Sequence, residues 1–524
     1  MTKSTIEWLN EAIFYEIYPQ SFKDSNGDGI GDLKGIIEKL DYIKDLGCNA
    51  LWINPCFISP FMDAGYDVED YYKIAPRYGT NEDMIELCKE VHKRNMHILL
   101  DLVPGHTSYK HKWFKESSKA EKNEYTDRYV WTDSVWNQPF NYKFLSGVFE
   151  RDANAIVNFF SSQPALNYGF YNCTEAWHQP IDAEGPKASR KELINIMRFW
   201  LEIGCDGFRV DMADSLVRND PEHIGIKALW EECRAFLEKD FPEAVLISEI
   251  GNPKFSLDIG FHMDFLLHVG PSHYLELFRE YAPHEGANPK RTRPYFAKDG
   301  KVDIEDFILT YESYCKETAG KGLICIPSGN HDMIRMADSL SVDEMKLAFA
   351  FIYSMPGAPF LYYGDEIGMR HNHSLVSKEG GYFRTGARTP MQWDNSKNCG
   401  FSSGDEENLY LPIDPDKDRP TLENQVSVPN SLYNTVKELI SLRKKEKALG
   451  NCGTVEFLTK SGHPLAFVRT EDEEKALVII NTSDEKATYK TNIFGDEIYR
   501  LGNYSVSNDG YELAPCSAII LKIK

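Results

Sequence analysis

The sequence of 524 residues predicts an α/β protein built on a (β/α)8 barrel, or TIM barrel, with an inserted small domain after the third strand and a C-terminal antiparallel β-sandwich domain. Short β-rich apolar segments alternate with amphipathic segments from residue 12 to about residue 370, as in repeated βα units. Eight such units suggest a closed barrel. The predicted strands are residues 12–19, 49–55, 97–104, 207–212, 245–251, 264–267, 323–327 and 359–363.

The barrel sequence is interrupted once and followed by a separate region. Residues 107–180 are rich in Tyr, Phe, Trp, Asn and Ser, and this segment is far longer than a normal βα loop. We therefore predict that residues 1–106 and 181–448 form the barrel and that residues 107–180 form the inserted domain. Alternating short strands after a helical segment predict the C-terminal β domain at residues 449–524.

The composition of the chain restricts the class of molecule that it can bind and the compartment in which it works. The formal charge is 58 − 80 = −22, which argues against nucleic acid and anionic membranes, because both attract Lys and Arg. The eleven cysteines form no CxxC pair, so we expect free thiols in a reducing compartment. The N-terminus lacks an apolar targeting segment, and no stretch approaches the roughly 18 apolar residues of a membrane span. We expect a cytoplasmic monomer or homodimer that binds a small neutral or cationic substrate, and no nucleic acid or membrane.

Three acidic residues carry the main chemical signal. Each of the three follows a short apolar run that is predicted to be a barrel strand, and the three are Asp211, Glu249 and Asp332. Parallel barrel strands deliver such side chains to one rim, so the three carboxyl groups can converge on one substrate. Glycoside hydrolysis with retention needs one carboxylate that attacks and one acid that donates a proton. The third acid can hold the substrate.

Neighbouring residues support these roles. Arg209 precedes Asp211 by two positions, so both side chains point to the same face of a strand, and the guanidinium would keep Asp211 ionised. Glu249 ends an otherwise apolar strand, where desolvation favours a protonated acid. His106 and His331, at the ends of the third and seventh strands, are suited to hydrogen-bond sugar hydroxyls.

These segments, in this order, resemble the four signature regions of the α-amylase family of glycoside hydrolases, family 13. The resemblance covers nearly the whole chain. It implies that Asp211 is the nucleophile, Glu249 the acid/base and Asp332 the stabiliser of the transition state. The residues that it implies around the cleaved glucosyl unit are Arg209, His106 and His331.

Two further motifs resemble one branch of that family. Residues 63–67 are similar to a segment that closes around the non-reducing-end glucose in exo-acting members, which implies that Tyr66 stacks on the sugar and Asp63 bonds an outer hydroxyl. Residues 387–394 resemble a motif of oligo-1,6-glucosidases, α-glucosidases and trehalose synthases, which implies that Arg388 reaches the same end. Residues 163–167 resemble a motif of the inserted domain, with Ala165 in place of Asp. These matches favour a short pocket.

The leading hypothesis is a retaining, exo-acting α-glucosidase that hydrolyses short α-linked gluco-oligosaccharides or disaccharides through a glucosyl-Asp211 intermediate. The alternative is a transglucosidase or trehalose-synthase-like isomerase that uses the same intermediate. Met212, directly after the nucleophile, leaves the linkage preference open. A non-catalytic relative, such as an ancillary subunit of amino-acid transporters, is disfavoured by the intact Asp211, Glu249 and Asp332.

Residues 24–32 present oxygen ligands at every second position around glycine turns, an arrangement that suits a hard cation such as Ca²⁺. The loop is not an EF-hand, since Gly35 stands where an EF-hand carries Glu. An Asx-rich turn without metal is the alternative. Relatives in the oligo-glucosidase branch bind calcium or magnesium here. This implies a structural Ca²⁺ ion, with Mg²⁺ as the alternative, held by Asp24, Asn26, Asp28, the Ile30 carbonyl and Asp32.

Overall fold

The centre of the protein is a closed barrel of eight parallel strands. The structure is a computed structural model and describes residues 6–267, 271–280, 292–375, 378–380 and 382–523. Each predicted barrel strand overlaps an observed one, which confirms the fold class. The barrel strands are β1 (Phe14–Ile17), β2 (Ala50–Ile53), β3 (His97–Leu102), β4 (Gly207–Val210), β5 (Val245–Ser248), β6 (Met263–Phe265), β7 (Leu323–Pro327) and β8 (Ala358–Tyr362).

The first and last strands close the barrel. Strand β1 pairs in parallel with both β2 and β8, and Phe14 is in register with Ala50 on one side and with Phe360 on the other. The rings of Phe14 and Phe360 stack inside the barrel, with centroids 4.1 Å apart and an interplanar angle of 3°. Because all eight strands run in the same direction, their carboxyl ends meet at one rim.

Helices cover the barrel and connect its strands. Two of them begin with a capping box, Thr80 with Asp83 and Ser341 with Glu344, which satisfies the first backbone N–H groups of the helix. The α-helices are Pro19–Phe22, Leu33–Glu38, Leu40–Leu46, Asn81–Lys93, Lys112–Ser117, Glu184–Ile203, Ile224–Asp240, Pro253–Asp258, Glu305–Glu317, Val342–Ser354, Glu423–Val426 and Leu432–Lys445. The 3₁₀ helices are Glu7–Glu11, Leu275–Leu277, Met336–Asp338, Asp365–Ile367, Tyr382–Ala387, Lys397–Gly400, Glu406–Asn408 and Lys447–Leu449.

The segment after β3 contains little regular structure. It holds the hairpin Phe144–Leu145 with Ala155–Ile156, and single bridges such as His106 with Ala165 tie it to the barrel rim. A second short hairpin, Phe57–Ile58 with Asp70–Ile74, follows β2. Both hairpins lie in connections that leave the carboxyl ends of barrel strands, so they can help to shape the rim.

The C-terminal region forms two antiparallel sheets, as predicted. The first contains, in spatial order, Thr454–Phe457, Leu465–Glu471, Glu474–Asn481, Ser517–Ile523 and Gly495–Leu501, and the second contains Ala487–Lys490, Gly510–Leu513 and Tyr504–Ser507. Two buried arginines, one in the last α-helix before this region and one within it, bond to the end of the helix Val342–Ser354 and the residue that follows it. Arg443 donates to the carbonyl oxygens of Tyr353 and Met355, each at 2.8 Å, and Arg469 donates to that of Ser354.

All eleven cysteines are free thiols, and most of them are buried. Within the described ranges, no helix combines the length and the apolar character needed to cross a membrane.

Candidate active site

A cavity of about 350 Å³ opens at the rim formed by the carboxyl ends of the barrel strands. Six of the nine predicted catalytic and substrate-binding residues line it, whereas Arg209, His331 and Arg388 lie buried behind the lining. Arg209 and His331, which were predicted to line the sugar subsite, are each 1% exposed and contact the lining residues Glu249 and Tyr66. The lining residues are Asp63, Tyr66, His106, Phe159, Asp211, Met212, Asp214, Glu249, Ile250, Leu267, Asp332 and Arg384.

Arg209 joins two of the predicted catalytic acids. Its Nη2 lies 2.5 Å from Oε1 of Glu249, and its Nη1 lies 3.1 Å from Oδ1 of Asp211. The other oxygen of Glu249 accepts the backbone N–H of Met212 at 3.2 Å. Met212 has a φ of 43°, a left-handed conformation that is uncommon for a residue with a side chain. This turn directs the backbone after Asp211 toward the second acid.

The two acids share a dry environment. Burial and the neighbouring Glu249 carboxylate raise the pKa of Asp211 well above its ordinary range, although Arg209 acts in the opposite direction. Arg209 thus favours the ionised form of Asp211, as expected from the sequence, while burial and Glu249 favour the protonated form. Two close carboxyl groups are costly to ionise together, and a retaining glycosidase needs a proton on one of its two catalytic acids before the first step.

Asp101 was not singled out as a site residue, yet it anchors the whole cluster. It is fully buried in β3, and its Oδ1 accepts from Arg209 Nη1 at 2.8 Å. Its Oδ2 accepts from Trp52 Nε1 at 3.0 Å and from the Tyr66 hydroxyl at 3.1 Å. A carboxylate inside an otherwise apolar strand was the signal that could have identified it.

His331 is held between Tyr66 and an acid of the first strand. Its Nε2 lies 2.7 Å from the Tyr66 hydroxyl, and its Nδ1 lies 2.8 Å from Oε1 of Glu16. The rings of Tyr66 and His331 stack with centroids 5.4 Å apart. Burial lowers the pKa of His331 well below its usual value and raises that of Glu16, so the imidazole is neutral at neutral pH. Glu16 is a second supporting residue that the sequence motifs did not reveal.

His106 is the histidine that does line the cavity. Its Nε2 lies 3.2 Å from the carbonyl oxygen of Tyr66, and its Nδ1 lies 3.2 Å from Asn158 Nδ2 of the inserted segment. Because burial lowers the pKa of His106 to about 4, the ring is neutral at neutral pH. Since both ring nitrogens already have protein partners, a hydrogen bond from His106 to a sugar hydroxyl must replace one of these two contacts.

Charged side chains that contact one another line one end of the cavity. Asp332 Oδ1 accepts from Arg384 Nη1 and from Arg388 Nη2, each at 2.8 Å. Arg384 Nη2 also lies 3.6 Å from Oδ1 of Asp63, whose other oxygen accepts from Gln163 Nε2 at 2.7 Å. Burial raises the pKa of Asp63 to about 7. Gln163 belongs to a motif noted in the sequence and Arg384 lies three residues before another, but their contacts with the acids had not been predicted.

The predicted metal loop is organised by its own backbone. Asp24 accepts the N–H groups of Asn26 and Gly27 with Oδ1 and that of Gly29 with Oδ2, and Asp32 accepts those of Ser25 and Gly35. Each of the other two side chains accepts one backbone N–H through a single oxygen, Asn26 from Asp28 and Asp28 from Ile30. In the described parts of the chain, no three carboxylate, imidazole or thiol groups are gathered as a metal cluster. The oxygen donors are nevertheless of the kind that Ca²⁺ prefers.

Carboxylates at the rim of a (β/α)8 barrel, two of them bridged by one arginine, define the active site of a glycoside hydrolase. Residues 16–451 match the model of the α-amylase catalytic domain, so the chain belongs to the α-amylase family. This family assignment also confirms that the protein is an enzyme.

Similar proteins span nearly the same length. Oligo-1,6-glucosidase of Bacillus cereus is 30% identical over 580 residues, which covers 99% of this chain and 100% of the relative. Trehalose synthase/amylase TreS of Mycolicibacterium smegmatis is 32% identical over 88% of this chain and 80% of the relative. A mutant isomaltulose synthase from Erwinia rhapontici NX5, solved with sucrose, has a TM-score of 0.82 and 27% identity over 100% of both chains. The trehalulose synthase MutB of Pseudomonas mesoacidophila MX-45 has a TM-score of 0.82 and 26% identity over 99% of both chains.

Proposed function

We propose that this enzyme is a retaining, exo-acting α-glucosidase that hydrolyses short α-linked glucosides. The observation that carries the proposal is the charged end of the cavity, where Arg384 reaches from Asp332 to Asp63. A side chain in this position blocks a glucan chain from running through, so a terminal glucosyl unit is the part of a substrate that fits. The volume, about 350 Å³, lies near the small end of ligand pockets.

The reaction assigns one step to each acid. Asp211 attacks the anomeric carbon and forms the glucosyl–carboxylate bond, while the glycosidic C–O bond breaks and Glu249 gives its proton to the leaving oxygen. Glu249 then takes a proton from water, the water oxygen attacks the same carbon, and the carboxylate of Asp211 departs. Two displacements on one carbon restore the α-configuration. Asp332, fixed by Arg384 and Arg388, bonds sugar hydroxyls as charge develops on the ring.

The second candidate is a transglucosidase or isomerase in which a sugar hydroxyl replaces water in the second step. Similarity to the trehalose synthase and isomaltulose synthase named above favours it. The two candidates share the first displacement and differ only in the acceptor. Access of water to the glucosyl-Asp211 intermediate therefore decides between them.

Time-resolved proton NMR with maltose, isomaltose, trehalose, nigerose, kojibiose and sucrose tests both candidates. A retaining hydrolase releases α-glucose first, which then mutarotates, and the disaccharide that is consumed fastest gives the linkage. New glycosidic anomeric signals with little free glucose would assign the transfer reaction instead. Release of β-glucose first would contradict the retaining mechanism.

We also propose that residues 24–32 hold a structural Ca²⁺ ion, with Mg²⁺ as the alternative. The ligands would be the side-chain oxygens of Asp24, Asn26, Asp28 and Asp32 and the carbonyl oxygen of Ile30. The ion would brace the loop that follows the first strand, away from the reacting atoms. Support comes from the alternation of hard oxygen donors in a compact loop.

For location we propose the cytoplasm, on the ground that eleven free thiols suit a reducing compartment. Cell fractionation with an antibody tests this location. A monomer or homodimer is proposed for the oligomeric state, which light scattering on the purified protein distinguishes.

A further inference from the structure

A second cavity lies on the inserted domain, and the catalytic residues take no part in it. Its volume, about 390 Å³, is similar to that of the catalytic cavity. Aromatic side chains form part of its wall, among them Phe140, Tyr142 and Trp177, and amide side chains such as Asn141 lie between them. The Phe140 side chain is 94% exposed, so a large ring stands in solvent beside a polar cavity.

Two buried nitrogen atoms in this wall have no hydrogen-bond partner within the described residues. They are Nε2 of His178 and Nε1 of Trp177, whose residues are 8% and 9% exposed. The Nδ1 of His178 accepts the backbone N–H of Thr174 at 3.2 Å, and the proton of the neutral ring is therefore on Nε2. Both atoms are thus donors. Buried donors are rarely left unpaired, because the lost hydrogen bond is costly.

The two donors, Trp177 Nε1 and His178 Nε2, have different surroundings. Trp177 also borders a small void of about 20 Å³, which can hold one water molecule that accepts from its indole. His178 borders the large cavity. Its Nε2 has almost no surface exposed to solvent, so a ligand oxygen in this cavity pairs with it only after a small shift of the lining side chains.

Ring contacts and hydrogen bonds to the backbone support the two parts of the wall. The His178 ring stacks on Phe170, with centroids 3.7 Å apart and an interplanar angle of 7°, and Trp177 packs edge-on against the same ring. On the opposite side, Asn154 Nδ2 donates to the carbonyl oxygens of Val135 at 3.1 Å and Asn137 at 2.6 Å. This side chain fixes the loop that carries Phe140.

The lining also defines the ligand's charge. No Lys or Arg is among the residues that line the cavity, and the only acid there is Glu175. Burial lowers the pKa of His178, so the imidazole does not supply a positive charge at neutral pH. An anionic ligand would meet no counter-charge. A neutral ligand with many hydroxyl groups fits the amides, while the apolar face of a sugar ring fits an exposed aromatic ring.

We propose that this cavity, formed by Phe140, Asn141, Tyr142, Trp177 and His178, is a second carbohydrate-binding site that holds a neutral oligosaccharide apart from the catalytic pocket. Phe140 stacks on one sugar ring, and His178 Nε2 donates to an oxygen of the ligand. The proposal does not depend on whether the catalytic pocket hydrolyses or transfers.

Isothermal titration of the Asp211→Asn protein with maltotriose, isomaltotriose and nigerotriose tests the site without turnover. At least one trisaccharide should bind at two sites per chain. Adding Phe140→Ala or His178→Phe should weaken one site by about tenfold and leave the other unchanged. The unchanged site then serves as the internal control for folding.

The matched control is Trp136→Ala, because Trp136 is 88% exposed in the same loop but does not line the cavity. This variant should retain both sites. A single binding site for all three sugars would overturn the proposal. A second site that keeps its affinity in both the Phe140 and the His178 variants would also overturn it. So would an equal loss of the second site in the Trp136 variant.

Discussion

Arg209 contacts Glu249 through Nη2 at 2.5 Å, although the two residues come from different barrel strands. Its Nη1 contacts Asp211 and Asp101 at the same time. The planar guanidinium thus sets the relative position of two acids that must act on one bond. A lysine carries a single ammonium group and cannot reproduce this fork.

Arg209→Lys should therefore lower kcat by about 100-fold while KM changes little, because the acids lose their mutual alignment. Steady-state kinetics on the best disaccharide measure the effect, and circular dichroism confirms that the variant folds. A kcat within about threefold of the wild-type value would show that the fork does not align the acids.

The assigned roles of Asp211 and Glu249 predict distinct defects. Asp211→Ala should reduce kcat by at least about 1,000-fold for every substrate, since no covalent intermediate can form. Glu249→Gln should be as slow on disaccharides but markedly faster on a glucoside with an acidic phenol as leaving group, which departs without protonation. Equal losses of Glu249→Gln on both substrate types would contradict its role as the acid.

Gln163 links the inserted domain to the substrate pocket through its bond to Asp63. Gln163→Leu should raise KM by about tenfold, because Asp63 loses a buried donor and shifts. The exposed Glu121, in the same domain and outside both cavities, provides the control, and Glu121→Leu should leave KM unchanged. If the two variants behave alike, the contact between Gln163 and Asp63 does not position the pocket.

The raised pKa of Asp63 predicts a pH effect on stability. The folded carboxyl has a pKa of about 7, whereas an unfolded Asp has a pKa of about 3.9, so between these values the folded state binds more protons. The free energy of unfolding must therefore fall as pH rises from about 4 through 7.

Asp63→Asn removes this titration. Urea unfolding at pH 5, 6, 7 and 8 measures the free energy of unfolding of both proteins. It should decline less steeply with pH in the variant, and the difference between the two declines should be on the order of a few kcal/mol. Parallel declines in the two proteins would mean that Asp63 is already ionised at pH 5.

A Ca²⁺ ion bound at residues 24–32 should make the melting temperature depend on the presence of metal. Dialysis against EDTA should lower Tm by several degrees, and added Ca²⁺ should restore it, because an ion that binds only the folded state stabilises it. Asp28→Asn should weaken this response, since one charged ligand is lost. Measurement of kcat at 25 °C should show little change. A Tm that is indifferent to EDTA would argue for an Asx-rich turn without metal.

The sequence predicted the barrel because each strand signal is local. A buried parallel strand is a short apolar run, and a polar residue that follows it must lie at the rim. Asp211 and Glu249 could be placed on this basis alone. The same argument, applied to β7, placed Asp332.

The contacts behind the rim could not be predicted in this way. Glu16 meets His331 across 315 residues, and Asp101 meets Arg209 across 108. Such pairs depend on which strands become neighbours and on side-chain direction, which no local pattern encodes. The same reason explains why Arg209 was expected to line the pocket although it lies behind the acids. The second cavity joins residues of three separate segments, so it too had no local signal.

The seam between β1 and β8, where Phe14 meets Phe360, has a consequence for the time at which the enzyme becomes active during its synthesis. Both catalytic acids leave the ribosome well before Ala358–Tyr362, the strand that closes the barrel. Until then the first strand lacks one of its two partner strands. The barrel is open at this position, and the contact between Glu16 and His331 has no complete barrel around it. A nascent chain therefore carries its nucleophile and acid without a pocket around them, and catalysis begins only when most of the polypeptide has been made.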